Sequence, residues 1–366
     1  MAIDCAIFIC KMMKSKLLVV SLHLSGGCFQ YSNELISRLK LDKVIYIPDK
    51  CLEPIHLKNY KTLRFYGYST LLRWISLFFF LVRIYVGAKW GRYHALLLCG
   101  FTSWDYYIMK VWAKTNRKSF YIVHDGKLHL GESNDKNQRQ LTYIMSHATS
   151  LIFLSNYVRQ LVVDNYGIDK PSHIAPHGLI NYGPLPLVVK DPSNPILLFV
   201  GRVSEYKGVD LLLEAIKQVP DNLYDKLIIA GKWSYENSIE YDPEKVKIID
   251  KWLSNEEILQ YIALSDIMIF PYREATQSGV ATLAVNYLRP SIVTDVGAFK
   301  EQFNTQSAVF IRPDPGELAK ATIDLLQHLE RLVPMRLALQ QQKKEYSWEQ
   351  IANNLTDYIL SENKFQ

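Results

Sequence analysis

The chain has 366 residues, of which 49% are hydrophobic and 21% are charged. This length allows two domains of ordinary size, and the composition is that of a soluble globular protein. The five cysteines all lie in the first hundred residues and form neither a CxxC pair nor a Cys/His metal spacing. The cysteine pattern therefore argues against a zinc site and favours reduced thiols in a cytosolic protein.

The net charge of +6 is distributed unequally along the chain. Residues 1–180 carry 23 Lys and Arg against 11 Asp and Glu, whereas the remainder carries 19 against 25. A basic half attached to an acidic half predicts that the first half faces an anionic partner. No nucleic-acid recognition motif is present. An anionic membrane surface or a phosphate-bearing acceptor fits the charge better than nucleic acid does.

The first ten residues are apolar, but they include Asp4 and lack a basic start, so no signal peptide is predicted. The run Met12-Met13-Lys14 resembles a bacterial start. We predict that residues 1–12 form an extension outside the fold.

The first half alternates short apolar runs, typical of strands buried on both faces, with helical segments. Residues 16–24 predict the first strand, Ser25-Gly26-Gly27 a turn, and residues 33–39 the first helix. A glycine turn at this point lets a ligand approach the backbone, although two adjacent glycines are often only a turn. Further strands are predicted at residues 44–47, 95–99, 119–123, 150–154 and 173–175, and a helical segment at residues 109–118.

Residues 71–93 form the most apolar stretch, LLRWISLFFFLVRIYVGAKWGRY. Only nine residues separate Arg73 from Arg83, too few to span a bilayer. An aromatic-rich helix edged by Arg73, Arg83, Lys89 and Arg92 fits a helix lying in the membrane interface. A core helix that covers a sheet explains the same pattern, and both alternatives stay open.

His124 follows the predicted strand at residues 119–123 directly. A single histidine is usually structural, but open parallel sheets bind ligands at the carboxyl ends of their strands. His124 is therefore a candidate functional residue.

Residues 181–195 are rich in proline and predict the linker between two domains. After it, strands are predicted at residues 196–200, 226–230, 246–249 and 308–311, with helices at 209–218 and 255–264. Ser254 is the expected N-cap of the latter helix. Because each half alternates strands and helices, we predict an α/β protein with two doubly wound parallel sheets.

The glycine-bounded loop GRVSEYKG, residues 201–208, joins a predicted strand to a predicted helix. Arg202 offers a planar fork for phosphate, and Lys207 offers a point charge. The loop lacks the GxxxxGK[ST] pattern of a P-loop. It is therefore a candidate phosphate site of another kind, with a solvated turn as the alternative.

Within residues 266–301 the sequence predicts a strand at 267–270, a loop, a helix at 279–288 and a strand at 291–294, with about the length of a right-handed crossover. The loop brings Glu274, Gln277, Ser278 and Gly279 to a predicted helix N-terminus, where free N–H groups attract anions. A carboxylate at an anion-seeking helix start suits a ligand that carries both phosphate and hydroxyl groups, such as a nucleotide sugar.

Together these segments resemble the family 4 retaining glycosyltransferases, which have the GT-B fold of two Rossmann-like domains facing a cleft. The resemblance covers nearly the whole chain and is densest in FVGRVSEYKGVDLLLEAI and SDIMIFPYREATQSGVATLAVNYLRPSIVTDVGAFKE. SGGCFQ resembles the first-domain glycine loop of the family, VHDGKLHLGE its active-site histidine strand and APHG its interdomain crossover. YSWEQIANNLTDYI resembles its final helix, which returns to the first domain.

The resemblance implies a role for each candidate residue. His124 and Glu274 would be catalytic, with Glu274 contacting the donor sugar and His124 on its acceptor side. The donor-binding residues would be Gly26, Gly27, Arg202, Lys207, Gln277, Ser278 and Gly279. One position departs from the family pattern, because Thr282 stands where a second glutamate would hold the nucleotide ribose.

We therefore expect a retaining glycosyltransferase of surface-polysaccharide assembly that uses a nucleotide-sugar donor and a glycan or lipid-linked acceptor. No cofactor and no metal are expected, and the protein should be cytoplasmic, peripheral on the inner face of the cell membrane. The expected domains are residues 1–180 on the acceptor side, 181–345 for the nucleotide sugar, and a returning helix at 346–366. A GT-B epimerase or phosphorylase, or a non-catalytic nucleotide-sugar-binding protein, are the alternatives.

Overall fold

The computed structural model of the protein describes residues 16–126, 135–189, 191, 194–236 and 238–363. The extension predicted at residues 1–12 lies outside the described residues. The chain divides into two compact units. Unit 1 is Met1–Pro176 together with Trp348–Gln366, and unit 2 is His177–Ser347.

Unit 1 is built on a seven-stranded parallel sheet with the strand order β3-β2-β1-β4-β5-β6-β7. Its strands are β1 (Lys16–Val20), β2 (Lys43–Pro48), β3 (Tyr60–Leu63), β4 (Tyr93–Cys99), β5 (Lys118–Val123), β6 (Ser150–Phe153) and β7 (Ser172–Ile174). Its helices are α1 (Gly26–Arg38), α2 (Thr70–Lys89), α3 (Ser103–Trp112), α4 (Asp135–His147), α5 (Asn156–Tyr166) and the C-terminal α12 (Trp348–Asn363).

The sheet of unit 1 carries a hydrophobic core on each face. Residues of α2, α3, α4 and α5 contribute to one core, and residues of α1 and α12 contribute to the other. The central strands β1, β4, β5 and β6 are almost wholly buried because both of their faces are covered, as expected for a parallel sheet, whereas the edge strand β3 is exposed except for Leu63.

Unit 2 has a six-stranded parallel sheet with the order β10-β9-β8-β11-β12-β13. Its strands are β8 (Leu197–Val200), β9 (Leu227–Ala230), β10 (Val246–Ile249), β11 (Ile267–Phe270), β12 (Ser291–Thr294) and β13 (Ala308–Ile311). Its helices are α6 (Val209–Ile216), α7 (Asn255–Leu264), α8 (Gly279–Asn286), α9 (Phe299–Gln302), α10 (Pro315–Gln327) and α11 (Leu332–Gln342).

In each sheet the strand order reverses once, between β1 and β4 in unit 1 and between β8 and β11 in unit 2. At such a point the loops leave opposite sides of the sheet and open a crevice at the carboxyl ends of the strands. The loop after β8 and the loop after β11 are therefore neighbours by topology.

Three local predictions for unit 1 are wrong. Gly26 and Gly27 do not form a turn ahead of a helix at 33–39, because α1 already begins at Gly26. The helical segment predicted at 109–118 is α3, which starts at Ser103 and is followed by a 3-10 turn at Ala113–Thr115. Tyr93 and Lys118, the last residues of the two stretches predicted to be helical, instead begin strands β4 and β5.

Candidate functional site

The loops after β8 and β11 touch each other directly. The Arg273 backbone N–H donates to the Tyr206 carbonyl oxygen at 2.7 Å. Gly208 has φ +64°, and a Cβ there would lie 2.0 Å from the Pro271 carbonyl oxygen. Only glycine permits this approach, so the residue that closes the predicted phosphate loop also holds it against the β11 loop.

Lys207 is buried at this junction, with 8% of its surface exposed. Its Nζ lies 5.2 Å from the centre of the Tyr272 ring, within the range of a cation–π contact. Burial is the main reason that the pKa of Lys207 lies below its ordinary value; Tyr206 opposes this shift and Arg202 adds to it. Lys207 forms no ion pair with any carboxylate in the described part of the chain.

A buried ammonium group without a carboxylate partner is costly, because its desolvation is not offset by an opposite charge. An anionic ligand would offset that cost. Arg202, exposed in the same loop, provides a second positive charge close enough to affect Lys207. The predicted pair thus lies together at the end of β8.

Arg273, the third cation of the two loops, is committed to a structural contact. Its guanidinium donates to both carboxylate oxygens of Asp210, at 2.7 and 2.5 Å, and to the Glu205 carbonyl oxygen at 3.0 Å. This bidentate pair ties the β11 loop to the start of α6.

Glu274 is exposed in the β11 loop, and the residue beside it is fixed from the neighbouring strand. The Ala298 N–H donates to the Ala275 carbonyl oxygen at 2.8 Å. Gly297 has φ +57°, and a Cβ there would lie 1.9 Å from that oxygen. The loop after β12 therefore packs against the backbone of the Glu274 loop, a contact that sequence reasoning did not identify.

The N-terminus of α8 is capped by Ser278, whose hydroxyl accepts from the Ala281 N–H. Gln302 holds the Ser278 backbone on both sides, accepting from its N–H and donating to its carbonyl oxygen at 2.9 Å each. The Ser278 amide is thus already used. The amides of Gly279 and Val280, the first two of the helix, are the N–H groups left for a ligand.

Residues 177–183 are held against α8 by side chains of that helix and of the preceding loop. The His177 N–H donates to Gln277 Oε1 at 3.1 Å, and the Ile180 N–H donates to Thr282 Oγ1 at 3.2 Å. Asn286 Nδ2 donates to the Ile180 carbonyl oxygen at 2.9 Å. Thr282, in place of the second family glutamate, is therefore buried and bonded to the backbone.

In unit 1, His124 lies at the end of β5 beside two rings from other elements. Its ring centre is 5.1 Å from that of Tyr31 on α1 and 6.3 Å from that of His23, which follows β1. Gly100, after β4, has φ +106°, and a Cβ there would lie 2.2 Å from His23 Nε2. His23 and Tyr31 were not predicted. β1 ends at Val20, so His23 lies in the loop after that strand, inside the stretch predicted as strand at residues 16–24.

Gly26 and Gly27 begin α1 near the same edge of the sheet. The Gly26 N–H donates to Glu53 Oε1 at 2.5 Å, and Gln30 Nε2 donates to the other oxygen of that carboxylate at 2.9 Å. The Gly26 amide is therefore occupied by a carboxylate in this structure. A Cβ on either glycine would meet nothing within 4 Å.

Burial lowers the pKa of His23 from 6.5 to about 4, against an opposing effect of Asp125. The unfolded chain therefore binds a proton between these pH values that the folded chain does not. We expect the free energy of unfolding to fall as pH drops through this range, by about 3 kcal/mol for the full shift. Urea titrations of His23→Gln should show a flatter decline, whereas the exposed control His147→Gln should match the native protein. An unchanged pH slope in His23→Gln would contradict the buried, neutral state of this imidazole.

Within the described residues, no group of three or more His, Cys, Asp and Glu side chains could hold a metal ion. The predicted lack of a metal requirement stays a prediction.

Residues 194–328 match the family model described as glycosyl transferases group 1. This range contains both the β8 loop with Arg202 and Lys207 and the β11 loop with Glu274. Residues 194–328 are therefore similar to a group 1 glycosyltransferase domain. The predictions of a glycosyltransferase and of the family resemblance are confirmed at this level.

Two solved structures and one curated protein are similar over most of the chain. The sucrose-phosphate synthase of Thermosynechococcus elongatus has a TM-score of 0.74 at 15% identity, covering 96% of this chain and all of that one. Anabaena HepE, solved in complex with UDP-glucose, has a TM-score of 0.69 at 14% identity, covering 94% and 99%. An uncharacterized 41.2 kDa protein in the cps region of Klebsiella pneumoniae is 22% identical, covering 75% of this chain and 80% of that protein. The predicted GT-B fold class of this glycosyltransferase is confirmed.

Proposed function

We propose that this protein is a retaining glycosyltransferase that transfers a sugar from a nucleotide-sugar donor to a glycan or lipid-linked acceptor in surface-polysaccharide assembly. The proposed donor site is the junction of the β8 and β11 loops. The observation that carries the proposal is Lys207, a buried ammonium group that pairs with no carboxylate among the described residues. It lies beside Arg202 at the switch point of the sheet.

The leaving group of such a donor is a nucleoside diphosphate, and negative charge builds on its phosphates as the sugar departs. Groups already placed around that charge stabilise the transition state without having to reorganise. Arg202, Lys207 and the Gly279 and Val280 amides would supply this stabilisation. Lys207 is suited to it because a ligand phosphate would replace the solvation that burial has removed.

Glu274 would accept hydrogen bonds from the hydroxyl groups of the donor sugar, held in place by the contact of Ala275 with the β12 loop. His124 would act on the acceptor side. Retention of configuration and front-face attack follow from the family resemblance. The ribose would be recognised by a group other than residue 282, because the Thr282 hydroxyl is already bonded to the Ile180 N–H.

The acceptor and the location are proposed on more general grounds. The similar Klebsiella protein belongs to a cps region, which supports a role in polysaccharide assembly. The excess of basic residues in the first 180 residues supports an anionic acceptor or membrane and a peripheral position on the cytoplasmic face.

A screen of nucleotide sugars by thermal stabilisation tests the donor site, starting with UDP-glucose because that donor is bound in the similar Anabaena structure. A donor at 100 times its Kd should add about 2.7 kcal/mol to the free energy of unfolding. Slow release of nucleoside diphosphate should accompany binding, and it should persist in EDTA if no metal is required.

The alternatives give different results in the same experiment. Tight binding without any turnover would indicate a nucleotide-sugar-binding protein, and conversion to an isomeric nucleotide sugar would indicate an epimerase. Absence of stabilisation by every nucleotide sugar, in a folded sample, would overturn the proposed donor site.

A further inference from the structure

Helix α2 buries only one stripe of its surface. Leu77, Phe80, Ile84, Gly87 and Ala88 face the core of unit 1. A Cβ on Gly87 would lie 2.5 Å from the Tyr93 ring, so glycine lets the helix pack closely against β4. Core packing thus explains this stripe and leaves the rest of the helix unexplained.

The opposite face of α2 exposes large apolar side chains. Phe78, Phe79 and, just past the helix, Trp90 expose 61%, 66% and 79% of their surface. Trp74, Ile75 and Val82 are also exposed. The helix has 20 residues and is long and apolar enough by composition to cross a membrane, but its buried stripe belongs to the core of the unit. A contiguous apolar face of this kind marks an interaction site.

Three cations lie beside this face. Lys61 on β3, Arg83 on α2 and Arg92 after the helix are all exposed. Partial burial, and then the nearby charges of Arg83 and Arg92, lower the pKa of Lys61. Arg83 and Arg92 are therefore each close enough to Lys61 to repel its charge. Among the described residues, none of the three cations is paired with a carboxylate.

The cations and the apolar side chains line two adjoining grooves. One, of about 600 Å³, is lined by Lys61 and Arg83 together with Ile75 and Phe79. The other, of about 560 Å³, is lined by Arg83 and Arg92 together with Phe79, Val82 and Trp90. Arg83 and Phe79 line both grooves, so the positive charge and the apolar surface are continuous.

We propose that Lys61, Arg83 and Arg92 bind the phosphate of an anionic membrane lipid while Phe78, Phe79 and Trp90 enter the acyl region of the same leaflet. A phosphate relieves the repulsion among the cations, and the aromatic side chains leave water for the interface. Membrane binding is thus assigned to a defined site in unit 1, whereas Arg202 and Glu274 belong to unit 2. The inference rests on the proposed function in one respect, namely that the enzyme works at a membrane.

The test uses the full chain and vesicles of phosphatidylcholine with or without phosphatidylglycerol. The native protein should sediment with the anionic vesicles and not with the neutral ones, and salt should weaken binding. The triple variant Lys61→Gln, Arg83→Gln, Arg92→Gln should lose on the order of 100-fold in partitioning, from about 1 kcal/mol per basic residue near the surface.

The matched control is Lys40→Gln, Lys114→Gln, Lys136→Gln, which removes the same charge from exposed positions elsewhere in unit 1. Partitioning of this control should fall by less than about tenfold, against the fall on the order of 100-fold in the first triple variant. Equal losses of vesicle binding in the two triple variants would indicate general electrostatic attraction and would overturn the assignment of binding to Lys61, Arg83 and Arg92.

The apolar part is tested with Phe78→Ser, Phe79→Ser, Trp90→Ser, whose exposed positions should spare the fold. This variant should lose the binding that survives at high salt. Brominated phosphatidylglycerol should quench tryptophan emission of the native protein and should quench Trp90→Phe less. Equal quenching of the two proteins would contradict insertion.

Three further outcomes would overturn the membrane proposal, and the first two of them would identify another occupant. If inorganic phosphate stabilises the native protein against thermal unfolding and the protein binds no vesicles, the three cations form a site for a free anion. A change of oligomeric state in the apolar variant without vesicles would indicate that a second copy covers α2. If a triple variant loses nucleoside diphosphate binding along with vesicle binding, the membrane site and the donor site are not separate. Loss of vesicle binding with intact nucleotide binding in the triple variants supports the proposal. If the native protein itself binds no nucleotide, that result counts only against the proposed function.

Discussion

Lys207→Met and Arg202→Ala should each weaken binding of a nucleoside diphosphate by about 1.5–3 kcal/mol, the usual worth of a hydrogen bond to a charged group. Methionine keeps most of the apolar length of the Lys207 side chain and removes its ammonium group. Because burial raises the cost of the unpaired ammonium group, Lys207→Met should also leave the free protein as stable as before, or more stable.

Isothermal calorimetry with the free nucleotide measures the first effect, and urea denaturation without nucleotide measures the second. Lys217→Ala is the control, since Lys217 is an exposed lysine just after α6 and is paired with Glu214. This variant should bind nucleotide as the native protein does. Unchanged affinity in both Lys207→Met and Arg202→Ala would rule out this junction as the diphosphate site.

The strands of this fold could be predicted because buried parallel strands appear as short, uninterrupted apolar runs. Val246–Ile249, Ile267–Phe270 and Ser291–Thr294 have the predicted bounds. Ser254 also caps α7 as predicted, with Glu257 completing a capping box.

The elements that were missed lack such a signal. β3 is an edge strand whose residues YKTL are exposed except for Leu63, so it has no apolar run. α4 has the polar sequence DKNQRQLTYIMSH, with few apolar positions. The glycines at the start of α1 suggested a turn, because glycine is a poor helix former except near the ends of helices.

The candidate site was predictable residue by residue but not as an arrangement. The position of Lys207 over Tyr272 depends on the pairing of β8 with β11, and the local pattern does not encode this pairing. Two hydrogen bonds of the site join residues that are far apart in sequence. One runs from the Ile180 N–H to Thr282, and the other from the Ser278 N–H to Gln302. Sequence reasoning could identify the missing second glutamate, but not that its position is occupied by a structural contact.

The function of Glu274 can be separated from that of the cations. Glu274→Gln should lower turnover at least tenfold, about 1.4 kcal/mol of transition-state stabilisation, because a neutral amide accepts hydrogen bonds from sugar hydroxyls less strongly than a carboxylate does. Binding of free nucleoside diphosphate should change little, since that ligand lacks the sugar.

Glu205→Gln is the matched control, because Glu205 is an exposed carboxylate of the neighbouring β8 loop. It should keep native turnover, whereas Glu274→Gln should not. Calorimetry on the same two variants then decides between two roles of Glu274. A loss of nucleotide affinity equal to the loss of turnover would mean that Glu274 holds the ribose, taking over the role of the carboxylate that Thr282 replaces. Loss of turnover with intact nucleotide affinity would place Glu274 on the transferred sugar, and the ribose contact would then have to come from another residue of unit 2.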